Sequence, residues 1–219
     1  MAHALGIGVV CRRQAAARFI CHSEVGQRAV FQAAATGLRG KQRTDPIGFA
    51  FLLLVLGPRP LDYHPDHRYT GILLQDAAFM VTVPNIAPDT PALRQNPVFM
   101  YFEDSFQKPN TFTPDVAVSI DDTFSKKIDA IDAHVSQMYE WLPWLNGRLE
   151  SVPADPAARR AMTAKQRFGR ISDAMRATLV KFYGAEAGAK VEHAEAFEIC
   201  EYGRKPSDDE IRQLFPMLK

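Results

Sequence analysis

The feature that most constrains the fold is an unbroken run of eight apolar residues, 49–56, which Gly57 and Pro58 terminate. The run is too short to cross a membrane, because a spanning helix takes about 20 apolar residues. It has the length of a strand, and the absence of polar residues indicates that both faces of that strand are buried. Strands of this kind belong to parallel sheets covered by helices, so the run predicts an α/β protein.

The segments after this run agree with one α/β domain. Proline and glycine residues separate helix-like from strand-like stretches, and the sequence has no internal repeat or low-complexity linker. We predict strands at 98–102, 116–120 and 197–202, and helices at 70–83, 122–142, 156–168, 172–183 and after the capping box at 207–210. A chain of 219 residues is long enough for one sizeable core and short for two.

Composition and charge narrow the range of partners. The chain carries 26 Lys and Arg against 25 Asp and Glu, a formal net charge of +1. This balance gives no overall field to hold a nucleic acid or an anionic membrane, so we expect neither as a main partner. The three cysteines form no Cys-x-x-Cys pair and favour a reducing, cytoplasmic location. The oligomeric state stays open, and a homo-oligomer is compatible with these observations.

Residues 1–48 differ from the rest of the chain. They hold seven basic residues against two acidic ones, are rich in alanine, and show neither sustained alternation nor a capped helical stripe. We therefore divide the chain into an atypical basic segment, 1–48, and a domain, 49–219. Three interpretations of the segment stay open: a targeting segment, a poorly ordered tail, or a stretch outside the ancestral reading frame.

Residues 62–67, Asp-Tyr-His-Pro-Asp-His, bring together two imidazoles and two carboxylates. They follow a predicted strand and precede a predicted helix, which places them in the crevice where α/β sheets bind ligands. One imidazole can bind zinc while a carboxylate fixes the other N–H of that ring, and the second imidazole can act as an acid or stabilise an oxyanion. Alternatively, both histidines are ordinary loop residues, Asp66 caps the helix and Pro65 forms a turn.

A longer pattern surrounds these six residues. The stretch 59–71, Arg-Pro-Leu-Asp-Tyr-His-Pro-Asp-His-Arg-Tyr-Thr-Gly, with 75–78 and 82–85, resembles the second motif region of the PIG-L/LmbE-like zinc-dependent de-N-acetylase family. Further segments are similar to the C-terminal half of that family, at 98–102, 114–116, 120–122, 134–137 and 194–203. The resemblance covers about residues 57–219.

This resemblance implies a Rossmann-like α/β sheet with flanking helices. It implies the removal of an N-acetyl group from an N-acetylglucosamine-type sugar derivative, with one zinc ion. By the same resemblance His67 binds zinc, His64 polarises the amide oxygen or protonates the leaving amine, and Asp66 orients His64. The roles suit the chemistry, since zinc lowers the pKa of its bound water to about 7 and a cationic imidazole stabilises an oxyanion.

The first motif of the family, His-Pro-Asp-Asp, is absent from the sequence. His-Pro occurs once, at His64-Pro65, and neither Asp-Asp pair follows a His-Pro. A catalytic zinc needs three protein ligands and a water, so His67 alone would hold the ion weakly. We therefore expect an N-terminally truncated or frame-shifted member whose sheet is incomplete. Two functions stay open: a zinc-dependent hydrolase, and an inactive family member that acts only as a binding or interaction module.

Weaker candidates lie further along the chain. His134 could face the site, although packing of its helix on the sheet is the favoured interpretation. Trp141 and Trp144 could stack on a sugar ring, and packing in a core or an interface is an equal alternative. His193 and Cys200 have no partner at metal-ligand spacing in the sequence.

Overall fold

The computed structural model describes residues 51–88, 91–166 and 168–218, together with three short strands near the N-terminus. These strands are β1 (Val9–Arg12), β2 (Arg18–His22) and β3 (Arg28–Gln32), of which β2 and β3 pair in antiparallel fashion. The other residues before 51 lie outside the described residues, and with them most of the basic segment. Its three interpretations therefore stay predictions.

A mixed sheet organises the fold, and the predicted α/β class is confirmed. Its strands run in the order β1, β4 (Phe51–Gly57), β5 (Val98–Phe102), β7 (Ala194–Ile199) and β6 (Val116–Ser119). The parallel pairing expected for the apolar run is found on one side of β4, with β5. On its other side β4 pairs antiparallel with β1, and β7 is antiparallel to β5. The sheet is therefore mixed rather than parallel throughout.

The described residues fall into two compact units. Among them, the sheet unit comprises those within Gly6–Val116 and those from Ala196 onward, and the helical unit comprises those within Ala117–Glu195. The helices are α1 (Pro65–Met80), α2 (Phe124–Asp132), α3 (Leu142–Leu145), α4 (Pro156–Ala164), α5 (Asp173–Tyr183), α6 (Ala185–Lys190) and α7 (Asp208–Leu214). None of the helices in the described ranges has both the length and the apolar character of a membrane span.

The helices differ from the sequence predictions in four places. Helix α4 ends at Ala164 rather than at residue 168, and α6 was not predicted. The other two differences lie at α1 and over 122–142. Helix α1 begins at Pro65 rather than at residue 70, because the His64 side chain caps it and proline is tolerated where no N–H is needed. The single helix predicted over 122–142 is interrupted: α2 ends at Asp132 and a π-helix spans Ser136–Trp141. Tyr139 in this π-helix is buried, and its hydroxyl contacts Asp132 and Thr163. These contacts anchor the wider turn.

Helix α1 packs on the sheet unit through a small apolar cluster. Its members are Val55, Leu74, Ala78, Phe99, Tyr101 and Cys200. Gly71 allows the helix to approach the loop that follows β4, since a Cβ at this position would lie 2.7 Å from Pro60 N and 2.9 Å from Pro58 O. The first turns of α1 are therefore held directly against the loop that carries the predicted site.

Candidate active site

The candidate site begins with the N-terminal cap of α1. His64 has an extended backbone conformation, and its ring Nδ1 accepts a hydrogen bond from the Asp66 N–H at 3.2 Å. This bond satisfies one of the N–H groups that the first helical turn leaves without an internal partner. Histidine thus takes the position that the alternative interpretation gave to Asp66. The cap fixes the His64 ring at the helix start.

The carboxylate of Asp62 links the two histidines. Its Oδ1 atom accepts a hydrogen bond from the His64 N–H at 2.9 Å and lies 3.1 Å from His67 Nδ1. Both side chains of the Asp62 and His67 pair are about nine-tenths buried. Arg68 holds the same stretch from the helix side, since it donates to the Asp62 carbonyl at 3.2 Å and to the Tyr63 carbonyl at 2.6 Å. Residues 62–67, here called the histidine loop, are therefore fixed at several points.

The two histidine rings face each other with different exposure. Their centroids are 4.9 Å apart at an interplanar angle of 36°. The His64 side chain is 44% exposed, whereas His67 is buried. Tyr63 lies edge-on to both rings at centroid distances of 5.8 and 6.0 Å, and its other neighbour is Phe106. The arrangement offers one fixed ring inside and one accessible ring outside.

A buried ion pair joins the histidine loop region to the loop after β5. Arg59 donates to Asp104 Oδ1 at 3.2 Å and to the Asn110 carbonyl at 2.5 Å. The two loops meet because β4 and β5 are parallel, so their carboxyl ends lie at one edge of the sheet. Charged partners that are both buried leave an uncompensated charge when either is removed. Arg59 thus holds this edge of the sheet together.

Glu198 in β7 carries a perturbed carboxyl in the sheet unit. Its Oε2 atom accepts a hydrogen bond from the Thr113 N–H at 2.8 Å. Burial raises the pKa of Glu198, while the Thr113 hydrogen bond and the Arg59 charge lower it and fall short of cancelling the effect of burial. The positive charge of Arg59 therefore serves two carboxyl groups.

All three residues predicted for the site, His64, Asp66 and His67, lie in this loop. Asp66 meets the His64 ring through its backbone N–H, while its carboxylate Oδ2 lies 3.8 Å from His64 Nδ1 and is largely exposed. The role of Asp66 as an orienting carboxylate stays a prediction. The sequence pattern includes Asp62 as one of two carboxylates but assigns it no role, and in the structure its carboxylate contacts the ring of His67. The signal was present, since a carboxylate beside a histidine pair is the expected partner of a ring N–H.

The described residues do not form a complete zinc site. Within the ranges that the structure describes, no three His, Cys, Asp or Glu side chains gather as a metal-binding group. His67 is the one ligand that the resemblance assigns there, and a contact of Nδ1 with a carboxylate is typical of histidines that bind metal through Nε2. A ligand count of one is below the three that catalytic zinc requires.

The weaker sequence candidates divide into residues with contacts inside the protein and residues on its surface. Cys200 is buried, and its Sγ atom accepts a hydrogen bond from the Tyr101 hydroxyl at 3.0 Å. His193, in the helical unit, lies 3.2 Å from Asp121 Oδ1 and stacks on Phe124 with 3.7 Å between ring centroids. The exposed members of the group are His134, Trp141 and Trp144. Neither tryptophan fills a core.

Comparisons with known proteins add no identification. No protein-family model matches the chain, and no solved structure matches it significantly. The family resemblance therefore depends on the motifs quoted from the sequence.

Proposed function

We propose that this chain is a PIG-L/LmbE-like hydrolase with a Rossmann-like sheet, which removes the N-acetyl group from an N-acetylglucosamine-type sugar derivative. One observation carries the proposal: a buried and an exposed histidine ring lie 4.9 Å apart at the start of α1. This position follows the carboxyl end of β4, where α/β sheets bind their ligands. The sparse cysteines support a cytoplasmic location as part of the same proposal.

Amide hydrolysis needs groups that this loop offers. The carbonyl oxygen takes on negative charge in the transition state, and a fixed donor stabilises that charge. The leaving amine must also receive a proton from an acid within hydrogen-bonding reach. His64 suits both tasks because its ring is accessible and its orientation is fixed by the helix cap. We assign the oxyanion contact and the proton transfer to His64.

His67 has a different place in the proposal. Its ring is buried against Asp62, so it is less suited to follow a moving proton and better suited to hold a fixed position. Zinc would bind His67 if further ligands were present, and it would supply a Lewis acid for the carbonyl. Because the described residues provide His67 alone, no step of the proposed reaction is assigned to a metal.

A second function has its own supporting observation. The sequence lacks the His-Pro-Asp-Asp motif that supplies two ligands and a base in the resembled family. A chain without these groups could still hold an N-acetylated sugar through the histidine loop. The alternative is therefore an inactive binding module that shares the same site.

The test combines hydrolysis and binding on the full chain. Acetate release from an N-acetylglucosamine derivative is measured with added Zn²⁺, and binding of the same compound is measured by calorimetry. The proposed function predicts both signals, and both should fall in His64→Ala while His134→Ala, on the exposed surface of the helical unit, retains them. Binding without acetate release would establish the binding module instead. If neither acetate release nor binding is observed, both proposed functions are contradicted.

A further inference from the structure

The two rings of the histidine loop have opposite contacts at Nδ1. In His64 this atom accepts a hydrogen bond from the Asp66 N–H at 3.2 Å, so it must carry a lone pair. A neutral imidazole holds one proton, which in His64 is then on Nε2. His64 therefore presents an N–H donor on Nε2.

His67 has the reverse arrangement. Its Nδ1 lies 3.1 Å from Asp62 Oδ1, and both side chains are about nine-tenths buried. A lone pair on Nδ1 at that distance from a carboxylate oxygen would be repulsive, and little water is present to screen the repulsion. A proton on Nδ1 turns the contact into an attraction. His67 therefore keeps Nε2 as a lone pair, which can accept a proton or bind an electrophile.

We propose that Asp62 is a positioning residue that holds His67 in the Nδ1–H tautomer, opposite to the tautomer of His64, so that the pair presents a donor at His64 Nε2 and an acceptor at His67 Nε2. The inference rests on the proposed function for its purpose, because a secondary amide has the complementary pair of an oxygen acceptor and an N–H donor. Asp62 is suited to the task since one of its oxygens contacts both the His64 backbone and the His67 ring. Asp66 is not, because it acts on His64 through a backbone N–H.

The chain provides a matched pair of variants. Asp62→Ala removes the carboxylate that faces His67 Nδ1. Asp66→Ala removes an exposed carboxylate from the same loop and keeps the backbone N–H that His64 accepts from. Asp62→Asn keeps an oxygen that can still accept from Nδ1–H and from the His64 N–H. The three variants separate the Asp62 contact from a general disturbance of the loop.

Long-range ¹H–¹⁵N correlation spectra of the histidine-labelled full chain report the tautomers directly. At about pH 9, above the usual histidine range, wild type should show His64 protonated on Nε2 and His67 on Nδ1. In Asp62→Ala, His67 should lose the single Nδ1–H tautomer, while Asp66→Ala should leave the His67 tautomer unchanged. Asp62→Asn should retain the His67 tautomer.

Two results would overturn the inference. One is a wild-type His67 that carries its proton on Nε2, a result that needs no variant and so does not depend on the folding of Asp62→Ala. The other is an Asp62→Ala protein whose His67 tautomer is unchanged. Turnover of Asp62→Ala should fall about 10- to 100-fold, with partial recovery in Asp62→Asn. If the tautomers are as predicted but the chain hydrolyses no amide, the inference is supported and only the proposed function is contradicted.

Discussion

Two polar clusters in this protein each contain buried polar side chains and differ in which polar atoms they leave without a partner in the described part of the chain. In the histidine loop, Asp62 holds the ring of His67 through Nδ1, and no described residue contacts the Nε2 atom by a hydrogen bond. In the helical unit, the Tyr139 hydroxyl contacts both Asp132 and Thr163, the latter at 2.6 Å. The second cluster uses its polar atoms within the fold, whereas the first leaves the His67 Nε2 atom without a hydrogen bond from the described residues.

The difference follows from where each cluster sits along the chain. The histidine loop begins after β4 and ends in the first turn of α1, so its side chains lie at the ends of these two elements. Tyr139 lies inside the π-helix, and its hydroxyl contacts Thr163 on α4. The Thr163 side chain is fully buried. A polar group between packed helices must be satisfied internally, because an unmet buried hydrogen bond costs about 1 to 3 kcal/mol. A partly exposed polar group at the start of a helix, such as His64, is not under that constraint.

The largest effect should separate activity from stability. We expect His64→Ala to lower turnover of an N-acetylglucosamine derivative about 10²- to 10⁴-fold, the usual contribution of acid-base groups. Because His64 is partly exposed, the free energy of unfolding of the His64→Ala protein should fall by only about 1 kcal/mol, the value of a lost helix cap. Steady-state kinetics and urea unfolding of the same preparations check both values. A loss of turnover that merely follows unfolding would remove the distinction between the two clusters.

The second prediction concerns the packing that positions the histidine loop. Gly71→Ala places a Cβ 2.7 to 2.9 Å from backbone atoms of Pro58, Arg59 and Pro60, which cannot move as a side-chain end can. We expect the free energy of unfolding to fall by about 1 to 3 kcal/mol, the usual cost of overpacking. Asp76→Ala, at an exposed position of α1, serves as the control and should stay within about 0.5 kcal/mol of wild type. Equal stability of the two variants would contradict the close approach.

Tyr139→Phe should have the opposite profile to His64→Ala. Removal of the hydroxyl leaves the buried Thr163 Oγ1 and the Asp132 carboxylate without this contact. We expect a loss of about 1 to 2 kcal/mol in the free energy of unfolding, and unchanged turnover. Chemical denaturation and the acetate assay provide the two readings. A fall in turnover with stability intact would place function in the helical unit.

The smallest effect concerns alkaline pH. Burial, and next the contact with Asp132, raises the pKa of Tyr139 above its usual value near 10. A raised pKa in the folded state means that the unfolded chain loses its proton first, so this stabilising contribution is complete below pH 10 and declines as the pH rises. The stability difference between wild type and Tyr139→Phe should therefore be constant up to about pH 10 and narrow as the pH rises further. A constant difference would show that Tyr139 is not perturbed.

Local sequence patterns predicted the elements that flank the site, and long-range contacts set the rest. The apolar run and its Gly57-Pro58 stop lie within a residue or two of β4, and the helix predicted at 172–183 matches α5 to within one residue. The role of Asp62 was harder to predict from the sequence, because the contact of its carboxylate with His67 depends on where α1 starts. Helix α1 starts early because His64 acts as a cap, which is uncommon for histidine.

The helical unit shows the limit of periodicity more clearly. An apolar stripe over 124–142 predicted one helix, because the spacing of apolar residues in a short window does not reveal a local change from α-helix to π-helix. The π-helix depends on Tyr139 meeting Thr163, 24 positions away in the chain. Such a contact has no signature in a short sequence window. The role of zinc and the substrate likewise stay predictions, as no described group of side chains identifies them.

The most direct test of the account is to locate sugar binding on the labelled chain. N-acetylglucosamine is titrated into the protein while the ring resonances of the histidines are recorded by NMR. The account predicts that His64 and His67 shift together with one dissociation constant, and that His134 and His193 in the helical unit stay unchanged. Shifts confined to His134 or His193, or none at all at a saturating sugar concentration, would contradict the claim that the histidine loop is the functional site.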